Sequence, residues 1–281
     1  MSHESPFTPE RRDDAIAQSF DNAQQCLYKL TADPSFHATL IDHGVDPYDD
    51  MGTPKYWHEA AAYAQAAVAR GRERGGDPLR LSAFELAAAT PAFVFDESNT
   101  ADHAASNHTT TKNSVRYNSL LRNFAESFPD AHTSVVSAAL VGVANRALED
   151  PALRQAAPGI INNHIRGIQH EVAFGQILDH TGRNFRPADE IEDGYGYDYI
   201  IEGERNSELQ VDVKASLHAI EKLGAIASAY AVRSDGRIVM HSLTKDEEFK
   251  GRFTLPEEVA ASKAPVVDEL LSHAEANRRI A

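Results

Sequence analysis

The sequence predicts an α/β protein in which a mainly helical N-terminal region precedes a strand-bearing C-terminal part. Apolar residues recur at three- and four-residue steps through most of the first 160 positions, the signature of amphipathic helices. Two β-branched and aromatic runs, Tyr197–Glu202 and Leu209–Ala215, flank a turn-forming stretch, Gly203 to Ser207, and read as a hairpin. A second hairpin is centred on Asp235-Gly236, between Ser228–Arg233 and Arg237–Leu243, because Asp-Gly suits the tight turn that matches strand twist.

Taken in order, Ile16, Phe20, Ala23, Leu27 and Leu30 lie at helical steps over 9–31, with Pro9 at the start and Asp33-Pro34 as the stop. Residues 34–54 hold several acids and two prolines and predict loop with a short helix. Tyr56 to about Arg74 is Ala-rich and helical until Gly75-Gly76-Asp77-Pro78, and Leu79–Thr90 predicts a further short helix. Trp57, the single tryptophan, sits on an amphipathic pattern and is expected in the core. Residues 96–114 are polar and predict a linker or mobile loop; Asp102, His103 and His108 lie here, and nothing fixes a metal geometry for them. Val115–Phe128 and Thr133–Leu148 predict helices, Asp150-Pro151 starts another, and Pro158-Gly159 leads into a separate helix, Ile160–Thr181, stopped by Gly182. Asn184–Pro187 is the first expected strand, and His218–Ala227 a short helix or crossover. Pro256–Ala261 predicts a helical turn, and Pro265 opens a C-terminal amphipathic helix to about Ile280. The order helix, strand, strand, strand, helix, strand is that of an α/β sandwich.

Composition narrows the chemistry. The net charge is −15, with eight lysines against nineteen arginines. Acid excess with few lysines is the pattern of salt-adapted proteins such as those of haloarchaea. An acidic chain repels DNA at low salt, but in molar salt the screening length falls to about 3 Å and local basic contacts decide. Acidity is therefore compatible with a nucleic-acid enzyme. Cys26 is the single cysteine, which rules out an intramolecular disulfide or a cysteine-based zinc site. No apolar run reaches the roughly 18 residues of a membrane span, and MSHESPFTPERRDD lacks the apolar core of a secretion signal; the expectation is a cytoplasmic protein. There is no Gly-x-Ser-x-Gly elbow and no phosphate-binding Gly-x4-Gly-Lys loop.

The strand Gln210-Val211-Asp212-Val213-Lys214 carries the functional signal. Side chains alternate across a strand, so Leu209, Val211 and Val213 share one face while Asp212 and Lys214 share the other, about 7 Å apart. Asp198, inside the apolar run Tyr197-Asp198-Tyr199-Ile200-Ile201, lies on the paired strand and reaches the same face. A carboxylate in such a run is costly unless something binds it. The plainer reading is a solvated strand face with a modest ion pair and a turn-capping Asp198. Two acids beside a lysine otherwise make a site for a hard cation such as Mg²⁺.

These residues carry a resemblance. Asp198, thirteen intervening residues, then Asp212-Val213-Lys214 is similar to the PD-(D/E)XK nuclease signature, with Tyr197 where the name-giving proline is expected. Glu171 resembles that family's helix acid, and Gly167 four residues before it resembles the helix start of Holliday-junction resolvases and Mrr-like restriction enzymes. The resemblance covers roughly residues 160–245. It implies a restriction-endonuclease-like mixed sheet flanked by helices over 159–250, preceded by a helical region at 1–158 that recognises DNA or covers the cleft, and followed by a C-terminal helix at 251–281. It also implies a Mg²⁺-dependent (or Mn²⁺-dependent) DNA endonuclease. Asp198, Asp212, Glu171 and the Val213 carbonyl would hold metal, and Lys214 would position the attacking water. Lys112, Arg116, Arg122, Arg166, Arg183 and Arg186 are the candidate phosphate contacts, each singly more in keeping with a solvated charge. His170 and His218 are expected near the site or on the surface. A junction resolvase and a non-catalytic DNA-binding protein are the alternatives, and a homodimer would serve double-strand cutting. Ile168, Val172 and Leu178 are expected to bury beside Val211 and Val213, with Glu171 at the stripe's edge.

Overall fold

The computed structural model describes residues 9–102, 112–203, 207–215 and 229–278. The chain divides into two compact units, residues 1–165 and 166–281.

The first unit is helical. Its elements are α1 (Pro9–Thr31), α2 (Pro34–Asp42), α3 (Pro54–Glu73), α4 (Pro78–Asp102), α5 (Lys112–Ser127), α6 (Thr133–Ala147) and the first part of α7 (Pro151–Asp179). Asp33 and Thr53 cap α2 and α3 through side-chain oxygens, with Pro34 and Pro54 in the first turn, where a missing N–H costs nothing. Trp57 is buried, as expected.

Three helix boundaries expected beside prolines are corrected. The helix expected at Leu79–Thr90 runs on to Asp102 through Pro91, and α5 begins at Lys112, so much of the expected 96–114 linker is helical. Ala87, Ala88, Ala92, Phe93 and Val94 are buried around Pro91, and their burial outweighs the roughly 3 kcal/mol that an interior proline costs. The polar stretch also satisfies itself: buried Ser114 donates to Glu97 at 2.5 Å. Likewise Pro158 lies inside α7 rather than between two helices, flanked by buried Ala157 and Ile161. Pro265 lies inside α9 (Glu257–Arg278) instead of opening it. There Ala260, Ala264, Val267, Leu271 and Ala274 form one continuous buried stripe. Alanine supplies its first two positions, so hydrophobicity alone understates it. His103, His108, His218 and the expected 218–227 helix lie outside the described residues.

The second unit holds the rest of α7, β1 (Phe185–Pro187), the single turn α8 (Glu190–Gly194), β2 (Tyr199–Glu202), β3 (Glu208–Lys214), β4 (Tyr230–Val232), β5 (Ile238–His241), a 3₁₀ turn (Asp246–Phe249) and α9. Neither α8 nor the 3₁₀ turn is legible in the sequence pattern. The strands form a mixed five-stranded sheet in the order β1-β2-β3-β5-β4. β1, β2 and β3 pair antiparallel, β3 runs parallel to β5, and β4 lies antiparallel at the edge. This is an α/β fold with a mixed sheet after a helical region.

The expected alternation in β3 holds: Leu209, Val211 and Val213 enter the core with Tyr199, Ile201, Ile238 and Met240. From α7 the core takes Ala173, Phe174, Ile177 and Leu178, and from α9 the stripe already named. Leu178 therefore packs as expected, whereas Ile168 and Val172, though buried, are not in this cluster. The helix meets the sheet along 173–174–177–178, one turn further on. Among the described residues no helix is long and apolar enough to cross a membrane.

Candidate active site

The β2–β3 hairpin brings the acids together. Tyr199 is the first paired residue of β2, opposite Val211, and Asp198 sits in a bend just before it. At Asp198 the ladder breaks step: its N–H donates to Val211 O at 2.8 Å. Its carboxylate then accepts the Val213 N–H at 2.6 Å. The N–H and C=O of one strand residue point to the same edge, so the Val213 carbonyl is also aimed at the β2 side, beyond the point where β2 has ended.

Asp212 is 7% exposed, as is Asp198. Burial, and then the charge of Asp198, push the Asp212 carboxyl up to about 6, against the opposing pull of Lys214 and Arg237. A buried carboxylate whose ionisation is opposed by burial and by a second carboxylate is what a divalent cation would neutralise. Lys214 Nζ lies 2.5 Å from Asp212 Oδ1, with the lysine side chain 41% exposed. Burial alone would lower the Lys214 pKa, but the charges of Asp212, Asp198 and Glu171, with the Asp212 hydrogen bond, hold it above its ordinary value. The three predicted acids therefore all act on the ammonium group of the fourth predicted residue, Lys214. Among the described residues no group of three or more His, Cys, Asp or Glu side chains is placed to hold a metal ion. The offered donors are the Asp198–Asp212 pair and the carbonyl between Asp212 and Lys214, a set that suits Mg²⁺, which keeps several waters.

Glu171 is placed by a contact one residue from Asp198. The Tyr199 hydroxyl donates to the Glu171 carbonyl at 2.9 Å, and the Tyr199 ring lies against Phe174 and Phe185. Gly175 makes the approach possible: a Cβ there would collide with the Tyr199 hydroxyl and lie 3.1 Å from Cζ.

His170 is not a surface residue. It is buried, with Nδ1 2.7 Å from the hydroxyls of both Ser242 and Thr244 and Nε2 3.2 Å from Asp246 Oδ1. Burial lowers its pKa in spite of Asp246. Ser242 N–H donates to Lys214 O at 3.1 Å, so this cluster ties the end of β3 to the helix that carries Glu171.

The expected phosphate contacts fare differently. Arg166 pairs with Asp246 at 3.0 Å, Arg183 with Asp268 at 2.5 Å, and Arg186 with Glu192 through two bonds of 2.6 and 2.7 Å. These three are already paired with carboxylates. In the first unit, Arg116 donates to Ala61 O at 3.1 Å. Arg122 is half-buried, and its charge favours ionised Glu126, whose pKa burial nonetheless raises. The Lys112 side chain lies outside the described ones. The cation that does act on Asp212 besides Lys214 is Arg237, which the sequence reading missed. The signal was an arginine directly after a hairpin Asp-Gly, entering the strand beside β3.

Comparisons with protein-family models, with curated proteins and with solved structures returned no match.

Proposed function

We propose that the second unit is a restriction-endonuclease-like, PD-(D/E)XK-type nuclease that hydrolyses DNA phosphodiesters with Mg²⁺ or Mn²⁺. The observation that carries this reading is the shared environment of two buried acids and a lysine at the end of one hairpin, Asp198, Asp212 and Lys214, with Asp212 pushed up to about 6. The plain surface ion pair is disfavoured because Asp212 and Asp198 are each 7% exposed, and nothing is gained by burying two like charges without a bound cation. The mixed sheet, the bond from Tyr199 to the Glu171 carbonyl and the effect of the Glu171 charge on Lys214 add support.

Asp198, Asp212, the Val213 carbonyl and Glu171 would hold the cation. When bound, it polarises a phosphoryl oxygen and favours ionisation of water. The chain's own residues supply the rest. Asp198 anchors Val213 through its N–H, on the strand edge that the Val213 carbonyl shares. Lys214, kept protonated by three acids, works as a donor that orients the attacking water and offsets charge growing on phosphorus. The water oxygen forms the new bond to phosphorus, the bridging P–O bond breaks, and the departing oxygen ends protonated. The helical first unit is assigned DNA recognition in this scheme, and a homodimer would present two sites to two strands.

The test is cleavage of labelled duplex, single-stranded and four-way-junction DNA in molar salt, with Mg²⁺ and with EDTA. Mg²⁺-dependent cutting is expected; preference for junctions would assign a resolvase. DNA binding with no cutting of any substrate at saturating Mg²⁺ or Mn²⁺ would overturn the enzyme in favour of a binding protein.

Glu171 has its own expected result. Glu171→Gln lowers the rate steeply at low Mg²⁺ and is partly rescued at high Mg²⁺, because it weakens metal occupancy and leaves Lys214 in place. A Mg²⁺ titration of initial rates checks this. Full activity with an unchanged Mg²⁺ midpoint returns Glu171 to the helix surface.

A further inference from the structure

Arg237 stands at the same site with its hydrogen-bonding capacity largely unspent. It directly precedes β5, whose Val239 is the partner of Asp212, and strand alternation puts residues 237 and 239 on one face. Its backbone is fixed by the hairpin: Arg233 N–H donates to Arg237 O at 2.8 Å, and Arg237 N–H to Asp235 Oδ1 at 3.0 Å. The side chain is only 15% exposed. Its guanidinium lies over the Tyr197 ring, 4.8 Å from the centroid, in the geometry of a cation–π contact. Gly196, at φ +81°, leaves room for it, since a Cβ there would come within 2.9 Å of Nη1.

Its polar contacts are poor for so enclosed a cation. Nη1 reaches Gly196 O and Nη2 reaches Asp235 Oδ2, both at 3.5 Å, the outer limit of a hydrogen bond. Nε is buried and has no hydrogen-bond partner among the described residues. Buried arginines are ordinarily paired through their planar fork. Arg183 and Arg186 in this unit show such pairing, with bonds of 2.5 to 2.7 Å to carboxylates. Arg237 instead is held in place by stacking, by its backbone and by a long ion pair with Asp235 at 3.5 Å, with its charge acting on Asp212 and donors to spare. A guanidinium fork takes two oxygens of one phosphate.

We propose that Arg237 is a phosphate-binding residue of this site, donating to the non-bridging oxygens of the DNA phosphodiester presented to Asp198, Asp212 and Lys214. The inference rests on the nuclease reading and names the anion contact that reading lacks, since the arginines at 166, 183 and 186 are already paired. Tyr197, stacked beneath the guanidinium, and Gly196, which admits it, are positioning residues.

The test compares wild type, Arg237→Gln and Arg237→Lys in two assays. The first is single-turnover cleavage of duplex DNA at saturating Mg²⁺. The second is duplex binding without divalent ion, followed by fluorescence anisotropy over a salt series. Arg237→Gln is expected to slow cleavage by roughly 100-fold and to reduce the slope of log Kd against log salt by about 1. Arg237→Lys keeps the salt slope but recovers only part of the rate, because a point charge replaces a fork. A purely bracing role would leave the salt slope unmoved in both variants. Arg237→Gln cleaving within about twofold of wild type, or binding with an unchanged slope while Arg237→Lys retains its melting temperature, overturns the assignment and leaves the nuclease reading standing. Absence of cleavage by wild type overturns both.

Discussion

Asp212→Asn is expected to abolish cleavage while making the metal-free protein more stable. The two effects have one cause. Asp212 is forced to ionise in a buried site beside Asp198, and its pKa rises from an ordinary 3.8 to about 6. A raised carboxyl pKa contributes stability that is fully present below the unfolded value and is lost as pH rises through the folded one. At pH 8 the site is therefore in its costly form. The shift corresponds to about 3 kcal/mol, of which part returns when Lys214 loses its partner, leaving a net gain of about 1–2 kcal/mol for the asparagine variant at pH 8. Between pH 4 and 7 in EDTA the wild-type melting temperature should fall by more than that of Asp212→Asn, and the two should converge at low pH. Mg²⁺ at about 100 times its Kd should stabilise wild type by roughly 2.7 kcal/mol and the variant by much less. The rate should drop more than about 100-fold. Cleavage within about tenfold of wild type, or an equal thermal shift by Mg²⁺, would remove Asp212 from the metal site.

The pairing of lost activity with gained stability separates this site from a structural ion pair. In a structural pair, removing Asp212 would strand Lys214 and destabilise the fold. Here the destabilising element is the buried charge of Asp212 itself, reinforced by Asp198, so an uncharged asparagine relieves it.

The hairpin and the face of its acids were legible because strand alternation is local: five residues, Gln210 to Lys214, state which side chains share a face. Asp198 was found by its misfit, a charge within an apolar run. Its bend, and its bond to Val213 N–H, depend on where β2 stops pairing, which no single-strand pattern encodes. The helices expected to stop or start beside Pro91, Pro158 and Pro265 run on through them for one reason in all three cases. Proline's local penalty is visible in sequence, while the burial that offsets it comes from residues packed there by the fold. Arg237 was invisible because its role depends on the parallel β3–β5 pairing, a contact across more than twenty residues. The two glycines of α7 near Glu171 differ in their surroundings: a Cβ at Gly167 meets nothing within 4 Å, whereas one at Gly175 would collide with the Tyr199 hydroxyl.

That contrast gives the second large effect, on two glycines of one helix. Gly167→Ala is expected to stabilise the protein by about 0.5–1 kcal/mol, since alanine is the better helix former and the space is open. Gly175→Ala has the same intrinsic gain and the opposite outcome. Its methyl group would collide with the Tyr199 hydroxyl, on a ring enclosed by Phe174 and Phe185 and only 3% exposed. Overpacking of this kind costs about 1–3 kcal/mol, and losing the bond from Tyr199 to the Glu171 carbonyl costs about 1 kcal/mol more. The displaced ring is the neighbour of Asp198, and the freed carbonyl belongs to Glu171, so cleavage should fall together with stability. Tyr199→Phe removes the colliding oxygen but leaves Cζ 3.1 Å from the new methyl. The double variant Gly175→Ala/Tyr199→Phe should then recover part of the stability lost by Gly175→Ala, with a coupling of about 0.5–3 kcal/mol. Urea melts of the four proteins measure it. Additive effects would mean that Gly175 and Tyr199 do not touch, and that α7 is held against the hairpin by some other contact.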